Sequence, residues 1–474
     1  MFKEAIKCSW IYRFFAAIGR FFGRQWKSSI AITAFLSPMG EGKFYKKGII
    51  ATTGSALHRA LCWIFEKIRL NKLLKGSIFL KMSVWCLLPC IFAPLLPTAV
   101  MIALCAVGFF SFLLTIGCDR EFKFTFTPAN SFILLYALIY IITTFTSMDV
   151  SSSLPIGALT IFLIVYSLVF INSIQSKKQI DIIITIFIIV AVLISLYGCY
   201  QYIFKPEGTN TWIDEERFEE ISYRVYSTLA NPNVLAEYLL LIIPFAGAKL
   251  FTAKTWGRRF LALCSLCITC LCMVLTFSRG GWLGLIIAAA LFLVIYDRRF
   301  ILLGIVGLIA LYFVLPESII GRFTSIGDLT DGSTSYRVYI WLGTLAMLKD
   351  YWLCGIGPGQ NAFNKVYPLY SYNSIIAPHA HNLFLQITAD TGFFGLLTFL
   401  GILFIFYREM AGRISRETDK DSKMYQIAGI SAITGFLVQS MTDYTFYNYR
   451  VMFMFWIILA FSLIIGKRSE YKEL

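Results

Sequence analysis

The sequence predicts an all-α polytopic membrane protein, and three observations support that prediction. Of the 474 residues, 58% are hydrophobic and only 15% are charged, and the mean hydropathy is +0.71. A soluble domain carries about 25% charged residues and lacks long apolar runs. This chain has many runs long enough to cross a bilayer core, which is about 30 Å thick. Its charges gather in the connectors between these runs, as expected if the runs themselves lie in lipid.

Residues 1–78 are predicted to form a basic cytoplasmic leader with interfacial amphipathic character. Residues 1–81 hold fifteen Lys and Arg against three acids, so they supply most of the net charge of +15. Because it is placed beside a membrane, such a segment is expected to bind an anionic lipid surface rather than nucleic acid. The stretch IYRFFAAIGRFFGRQW is typical of a helix at the membrane surface, and its arginines interrupt the apolar core that a cleavable signal peptide requires. A loosely ordered leader without a catalytic role is the simplest interpretation.

Twelve apolar runs predict about twelve transmembrane helices, nine of them in residues 79–315 and three in residues 391–466. We expect the helices at 79–96, 98–117, 130–147, 154–174, 180–203, 232–252, 259–276, 281–296, 300–315, 391–407, 424–441 and 450–466. Pro94 and Pro97 divide the first long run into a tight hairpin.

The connectors predict the orientation of the chain. One set is rich in Lys and Arg, for example SKKQ, AKTWGRR and YDRR, whereas the alternate set holds none or a single Arg. Because Lys and Arg accumulate on the cytoplasmic side, both termini, including the tail 467–474, are predicted to be cytoplasmic. The long segment 316–390 then forms a large extracytoplasmic loop, and loops of that size are usually functional.

Two of the three histidines in the chain lie at the end of this loop, in PHAHN. Pro378 favours the first turn of a helix, so we expect His379 and His381 to lie in that turn, where the helix dipole disfavours the charged imidazolium. A neutral histidine accepts a proton, as a general base does. Two residues apart on a helix, their side chains are expected to point in different directions. Capping or a place in the headgroup region is the alternative interpretation.

Arginines at the same predicted face are the second chemical signal. Arg279 lies between two apolar helices in TFSRGGWLG, and Arg224 and Arg337 lie in two SYRVY stretches. An arginine in such a place is costly unless it is paired or functional, and converging guanidinium groups suit capture of phosphate. Snorkelling or helix-end ion pairs are the alternative, with Glu237 and Asp390 as the acids that would pair.

Nothing in the sequence predicts a metal or another cofactor. No acidic cluster or Cys/His ligand set falls on the outer side. The run CSLCITCLC has metal-like spacing, but it lies within a predicted span and three of its cysteines follow one helical stripe. We interpret them as packing residues.

Four motifs in this order resemble the O-antigen ligase and O-antigen polymerase superfamily. They are SYRVYSTLANPNVLAEYL, TFSRGGWLG, YRVYIW followed by GIGPGQNAF, and HNLFLQITADTGFFGLL. The resemblance runs from about residue 84 to 466 and leaves the basic leader outside. It implies a multi-pass protein of the bacterial cytoplasmic membrane that moves a glycan from polyprenyl (undecaprenyl) diphosphate to an acceptor hydroxyl outside the cytoplasm.

The resemblance also implies site residues. The family's essential histidine begins a His-Asn-x-x-Leu stretch, which matches His381 and Asn382, and His379 has no fixed counterpart. The family's arginines match Arg224, Arg279 and Arg337, which would hold the diphosphate. The implied enzyme is a metal-independent, inverting glycosyltransferase of cell-surface polysaccharide assembly. Its partners are the lipid-linked donor, a glycan, lipid or protein hydroxyl and membrane lipids, with no nucleic acid.

Two alternatives stay open at this point. A polysaccharide polymerase uses the same chemistry to extend a lipid-linked glycan, and residues alone do not separate it from a ligase. A flippase or transporter of lipid-linked glycans would instead show inverted repeats and charges near the bilayer midplane. No such repeat is evident, and the polar residues gather at one predicted face.

Overall fold

The chain is helical throughout the part that the computed structural model describes, and no strand occurs there. The described residues are 56–122, 124–125, 127–205, 223–297, 299–300, 304, 321 and 332–466.

Fifteen α-helices follow one another in these ranges. They are α1 (Ala56–Lys67), α2 (Leu70–Leu73), α3 (Met82–Phe92), α4 (Thr98–Cys118), α5 (Pro128–Phe145), α6 (Val150–Ser173), α7 (Lys177–Phe204), α8 (Pro232–Thr252), α9 (Trp256–Leu275), α10 (Arg279–Tyr296), α11 (Gly332–Tyr351), α12 (Gln360–Val366), α13 (Leu383–Arg416), α14 (Lys420–Ser440) and α15 (Tyr449–Ser462).

Eight helices among the described residues, α4 to α10 and α13, are long and apolar enough to cross a membrane, and α3 and α15 are shorter apolar helices. The prediction of an all-α, multi-pass protein is therefore confirmed. Each predicted helix except 300–315 coincides with an observed one, and 300–315 lies outside the described residues apart from positions 300 and 304. The count of twelve stays a prediction.

Helices α8, α14 and α15 form the centre of the bundle. The apolar side chains of α15 are almost entirely buried, and α8 packs against α9 and α14. Glycines permit the closest approach, between α10 and α14. A Cβ on Gly284 would lie 2.5 Å from the backbone oxygen of Gly435. Small residues that let helix backbones touch are a common device for helix association in membranes.

The connectors sort into two faces of the bundle. On one, Arg450 Nη1 donates to the backbone oxygens of Leu96 and Thr228, each at 3.1 Å, which joins the start of α15 to two connectors. We call this end the site face. At the other end, the opposite face, Lys249 pairs with Asp181 at 2.7 Å and links the termini of two further helices.

Residues 332–382 fold as a helical cap on the site face rather than as an open loop. Ile340, Phe363 and Tyr367 form a small core of their own within it. The turn GIGPGQ fixes this cap to the bundle, because Ile356 accepts a hydrogen bond from Met148 N at 2.9 Å and donates one to the oxygen of Ala389 at 2.6 Å.

A kink in α13 allows that attachment. Gly392 interrupts the helix with φ +67° and ψ −168°, and a Cβ there would lie 2.1 Å from the oxygen of Leu353. Gly355 has φ +70° and is equally crowded by Ala389. Only glycine fits both the backbone conformation and the close approach. The kink lets α13 meet the cap and still continue into the bundle.

The described part of the basic leader docks on the opposite face. His58 Nε2 on α1 lies 2.8 Å from the backbone oxygen of Ile116, at the end of α4, and α1 exposes Trp63 and Ile64. Residues 1–55 lie outside the described residues, as does the tail 467–474. The predicted interfacial character of the leader stays a prediction.

Candidate active site

The two histidines lie in a turn before α13, not within its first turn as predicted. The helix begins at Leu383 because Asn382 caps it, and the Asn382 side chain accepts from Leu385 N at 3.0 Å. His381 has φ +46°, a left-handed backbone that cannot belong to the helix. The two imidazole rings stand 4.2 Å apart, so the expectation that they point in different directions is wrong.

Asp443 is the acid partner of His381. The connector between α14 and α15 places the Asp443 carboxylate 3.3 Å from His381 Nδ1, and the side chains are 15% and 22% exposed. Burial raises the pKa of the Asp443 carboxyl, but the hydrogen bond to His381 and the charge of Arg337 outweigh it and hold that pKa well below its ordinary value. The ionised carboxylate accepts a hydrogen bond from the N–H group at Nδ1 of His381. The lone pair of the imidazole then lies on Nε2.

The second oxygen of Asp443 connects to Arg224. Asn233, in the first turn of α8, donates to Asp443 Oδ2 at 3.0 Å and accepts at 3.0 Å from Arg224 Nη2. Arg224 Nε also donates to the oxygen of Thr276 at 3.0 Å, next to the start of α10. A continuous network therefore runs from Arg224 through Asn233 and Asp443 to His381. It joins two predicted site residues that are 157 positions apart in the sequence.

Arg279 and Arg337 adjoin the same network. Arg279 is half-buried at the first position of α10, and a Cβ on the following Gly280 would lie 2.9 Å from Thr442 Oγ1, beside Asp443. Arg337 lies on α11, and its Nε is buried with no hydrogen-bond partner among the described residues. A buried, unsatisfied guanidinium donor is unusual in a native protein and points to a binding role.

His379 is the more enclosed of the two histidines. It is 7% exposed, and its ring lies 5.3 Å and 5.0 Å from the rings of Tyr444 and Tyr447. Burial, then the neighbouring His381 and Arg337, lower the pKa of His379 to about 3, although Asp443 acts in the other direction. The ring is therefore neutral at pH 7, and its Nδ1 accepts a hydrogen bond from His381 N at 3.3 Å.

Asn382 and Asp390 hold the histidine turn from behind. Asn382 donates to the oxygen of Met441 at 2.8 Å, which ties the start of α13 to the connector that carries Asp443. Asp390 accepts from Gln386 at 2.8 Å, and Gln386 accepts from Ala380 N, between the histidines, at 2.7 Å. The partners of Asp390 are thus Gln386 and a phenol rather than an arginine, which the alternative interpretation gave it.

Glu237 lies one turn further along α8 than Asn233. It is 2% exposed, and its Oε2 has no hydrogen-bond partner among the described residues. Asp443, rather than Glu237 or Asp390, is the acid whose carboxylate contacts His381.

The sequence analysis missed Asp443 and Asn233. A signal for Asp443 was present, because it is the only acid in the connector SMTDYTFYNYR and stands beside two apolar helices. An isolated charge at such a place is a functional-site hypothesis in itself. Asn233 carries no comparable signal, since an Asn-Pro-Asn stretch before a helix is explained by capping alone.

No group of three or more His, Cys, Asp or Glu side chains within the described part of the chain is arranged to hold a metal ion. The four cysteines of CSLCITCLC lie on α9 as free thiols. The predicted absence of a metal stays a prediction.

A family model described as O-antigen ligase matches residues 263–400. That interval contains Arg279, Arg337 and the histidine turn, whereas Arg224 and Asp443 lie outside it. No curated protein matches the chain. Over residues 263–400 the chain is similar to O-antigen ligase, and its apolar helices indicate a multi-pass membrane protein of bacteria.

Proposed function

We propose that the chain is an O-antigen ligase-type glycosyltransferase of cell-surface polysaccharide assembly. It moves a glycan from a polyprenyl diphosphate to an acceptor hydroxyl, on the extracytoplasmic side of the membrane. The observation that carries the proposal is the His381–Asp443 pair, because it stands within a network that includes Arg224 and beside two further arginines.

His381 is the general base. Asp443 holds the Nδ1 proton and orients the ring, so Nε2 accepts the proton of the acceptor hydroxyl. The acceptor oxygen forms a bond to the anomeric carbon of the glycan. The bond from that carbon to the diphosphate oxygen breaks, and the diphosphate leaves with the electron pair. A single displacement of this kind inverts the anomeric centre.

Arg224, Arg279 and Arg337 bind the diphosphate. Planar guanidinium groups bind phosphate oxygens through two parallel hydrogen bonds, and they stabilise the charge that the diphosphate gains as it leaves. The unsatisfied Nε of Arg337 supports this role. Because these arginines supply the positive charge, the reaction needs no metal ion.

The charges of the two faces support the predicted orientation. The connectors and helix ends of the opposite face carry Lys177, Lys178, Lys254, Arg258 and Arg259, and the leader helix α1 docks there. The excess of Lys and Arg supports a cytoplasmic opposite face and an extracytoplasmic site face.

A polysaccharide polymerase is the second candidate, since the same base and arginines serve both reactions and only the acceptor differs. A transporter is disfavoured. An alternating-access site lies within the membrane spans, near the bilayer midplane, whereas the charged network of this protein lies where helices end.

The three histidines supply the test. We expect His381→Ala to lower transfer by a factor of about 10² to 10⁴, the usual contribution of a general base, while donor binding persists. His379→Ala should retain much of the activity. His58→Ala, on the opposite face, should match the wild type. The measurement is transfer from a purified polyprenyl diphosphate-linked glycan by protein in nanodiscs. Near-normal turnover by His381→Ala would exclude His381 as the base.

A further inference from the structure

The opposite face contains a cavity of about 680 Å³, which α7, α8, α9 and the start of α14 enclose. Charged side chains line its mouth, where these helices begin or end. Further in, Ile188, Ile189 and Leu261 form part of the wall. Because a helix rises about 1.5 Å per residue, the step from Asp181 to Ile189 extends the wall about 12 Å into the bundle. The cavity thus changes from charged to apolar along its depth.

The cavity opens sideways, toward the surface of the bundle that faces lipid. Ile189 and Leu261 line it, yet these residues are 53% and 65% exposed. Both lie in helices that are long and apolar enough to cross a membrane, so the surface they expose faces hydrocarbon. The buried residues of α9 are Thr269, Cys272 and Met273, all in its second half, so its first half packs less closely against the bundle. A lipid can therefore enter from the side.

Trp256 marks the depth of the mouth. It is the first residue of α9 and is strongly exposed. Tryptophan is enriched where a membrane meets water, at the level of the lipid headgroups. Lys254 and Arg258, which line the mouth, lie two residues before and two residues after Trp256. Their charges therefore stand at the level of the headgroups.

Two of the three cations at the mouth have no partner in the described part of the chain. The side chains of Lys254 and Arg258 make no hydrogen bond or ion pair there. Lys249 differs, because it pairs with Asp181 at 2.7 Å, and Asp181 also accepts a hydrogen bond from the hydroxyl of Tyr425. Free cations next to an apolar wall suit a phosphate group that carries a hydrocarbon chain.

Asp421 limits the charge of the ligand. It lies at the mouth, in the first turn of α14, where the helix dipole favours a carboxylate. Together with Lys254 and Arg258 it leaves a single positive charge at the mouth. A phosphodiester carries a single negative charge, so it matches better than a phosphomonoester. The Asp421 carboxylate is an acceptor for hydroxyl groups on the far side of that phosphodiester.

We propose that this cavity binds one anionic glycerophospholipid from the leaflet at the opposite face. The phosphodiester binds to Lys254 and Arg258, the headgroup hydroxyls donate to Asp421, and an acyl chain lies along Ile188 and Leu261. Basic pockets between membrane helices bind anionic headgroups by the same chemistry. The bound lipid joins the first half of α9 to α7 and α14. It lies at the other end of the bundle from the histidine turn, so it does not depend on the proposed transfer.

The test compares two double variants of the full chain. Lys254→Gln with Arg258→Gln removes the free cations of the mouth. Lys178→Gln with Arg299→Gln is the matched control, because it removes one exposed Lys and one exposed Arg of the same face that lie outside the cavity. Each protein is delipidated in an uncharged detergent and titrated with phosphatidylglycerol. Native mass spectrometry counts the bound lipid, and the melting temperature reports stabilisation.

We expect the wild type to bind one phosphatidylglycerol, and phosphatidylcholine with the same acyl chains about tenfold more weakly. The cavity variant should bind phosphatidylglycerol about ten- to hundredfold more weakly, because each Lys or Arg near a lipid surface adds severalfold to the affinity. The control should retain the affinity and the stabilisation of the wild type. Equal losses in both double variants would show that only the overall charge of this face matters, and the proposed site would then be wrong.

Ala262→Phe separates a lipid from a free phosphate. Ala262 lines the cavity on α9, so a larger side chain there occupies the space of the acyl chain but leaves both cations in place. We expect this variant to bind phosphatidylglycerol about tenfold more weakly. Inorganic phosphate at the same concentration should not raise the melting temperature of the wild type. Normal lipid binding by Ala262→Phe, or equal stabilisation by inorganic phosphate, would contradict the proposal. Neither readout uses transfer, so the proposed function and the lipid site succeed or fail separately.

Discussion

The two faces of the bundle use the same types of charged residue in different surroundings. On the opposite face, the pair of Lys177 and Asp419 is solvated: the two side chains are 49% and 33% exposed, although they lie 2.8 Å apart. On the site face, the side chains of His381 and Asp443 are only 22% and 15% exposed and belong to one connected network.

This difference determines what each residue contributes. Water screens an exposed pair, which contributes about 0–1 kcal/mol to the free energy of unfolding. A half-buried charge has less contact with water, so it needs its partner to offset the cost of burial. Substitutions on the site face should therefore affect activity strongly, and substitutions in the exposed pair of Lys177 and Asp419 should affect neither activity nor stability much.

The largest effect on the site face is expected for Asp443→Asn. The amide keeps the size but loses the charge, so it no longer favours the His381 tautomer with a proton on Nδ1. We expect transfer to fall by a factor of about 10² to 10⁴. The measurement is the transfer assay together with donor binding, which should change little. Wild-type activity in Asp443→Asn would show that the pair has no catalytic role.

The bundle and part of this network were predictable from the sequence. Apolar runs gave the helices because hydrocarbon requires about twenty apolar residues to span it. Single anomalies gave His381, Arg224 and Arg279, because a charge beside an apolar helix demands a reason. Each of these signals is local.

The geometry of the site was not predictable, because it depends on contacts between distant segments. Pro378 suggested that a helix starts there. The helix begins instead at Leu383, because Asn382 caps it and His381 has a positive φ. The role of Asp443 requires the connector after α14 to meet the turn before α13, 62 residues away. No local pattern reports such a contact.

A smaller loss is expected for Arg279→Lys. The ammonium keeps the charge but loses the planar fork that binds two phosphate oxygens. We expect transfer to fall about ten- to hundredfold, with normal insertion into the membrane and a weaker affinity for the donor. Transfer rates at several donor concentrations give both quantities. Equal performance of Lys and Arg would show that only charge matters at this position.

The buried His379 predicts a pH effect on stability. Its pKa is about 3 in the folded protein, and an unfolded histidine titrates near about 6.5, so the unfolded state binds more protons between these values. The free energy of unfolding therefore decreases as the pH falls below about 6.5, by about 2 kcal/mol at pH 5. The lowered pKa of Asp443 affects the free energy of unfolding only in more acid solution. The ionised carboxyl stabilises the folded protein, and this contribution is lost as the pH falls below about 4.

Thermal unfolding in detergent at pH 7.5 and 5.0 would measure this effect. His379→Gln removes the titrating group and retains a polar side chain, so its melting temperature should decrease less than that of wild type over the same interval. An equal decrease in both proteins would show that His379 titrates normally in the folded state.

The smallest effect is expected on the opposite face, where Lys177→Met removes the pair with Asp419. Both side chains are substantially exposed, so water replaces the lost partner of Asp419 and the Coulomb energy that disappears is small. We expect the free energy of unfolding to change by less than about 1 kcal/mol and transfer to stay at the wild-type rate. Asp419→Asn should behave in the same way, although Asp419 also caps α14 through Ser422 N at 2.8 Å, and the amide retains that acceptor. The transfer assay and the melting temperature in detergent measure both effects. A large loss of transfer in Lys177→Met would mean that the opposite face is coupled to the chemistry, and the separation of the two faces would then be wrong.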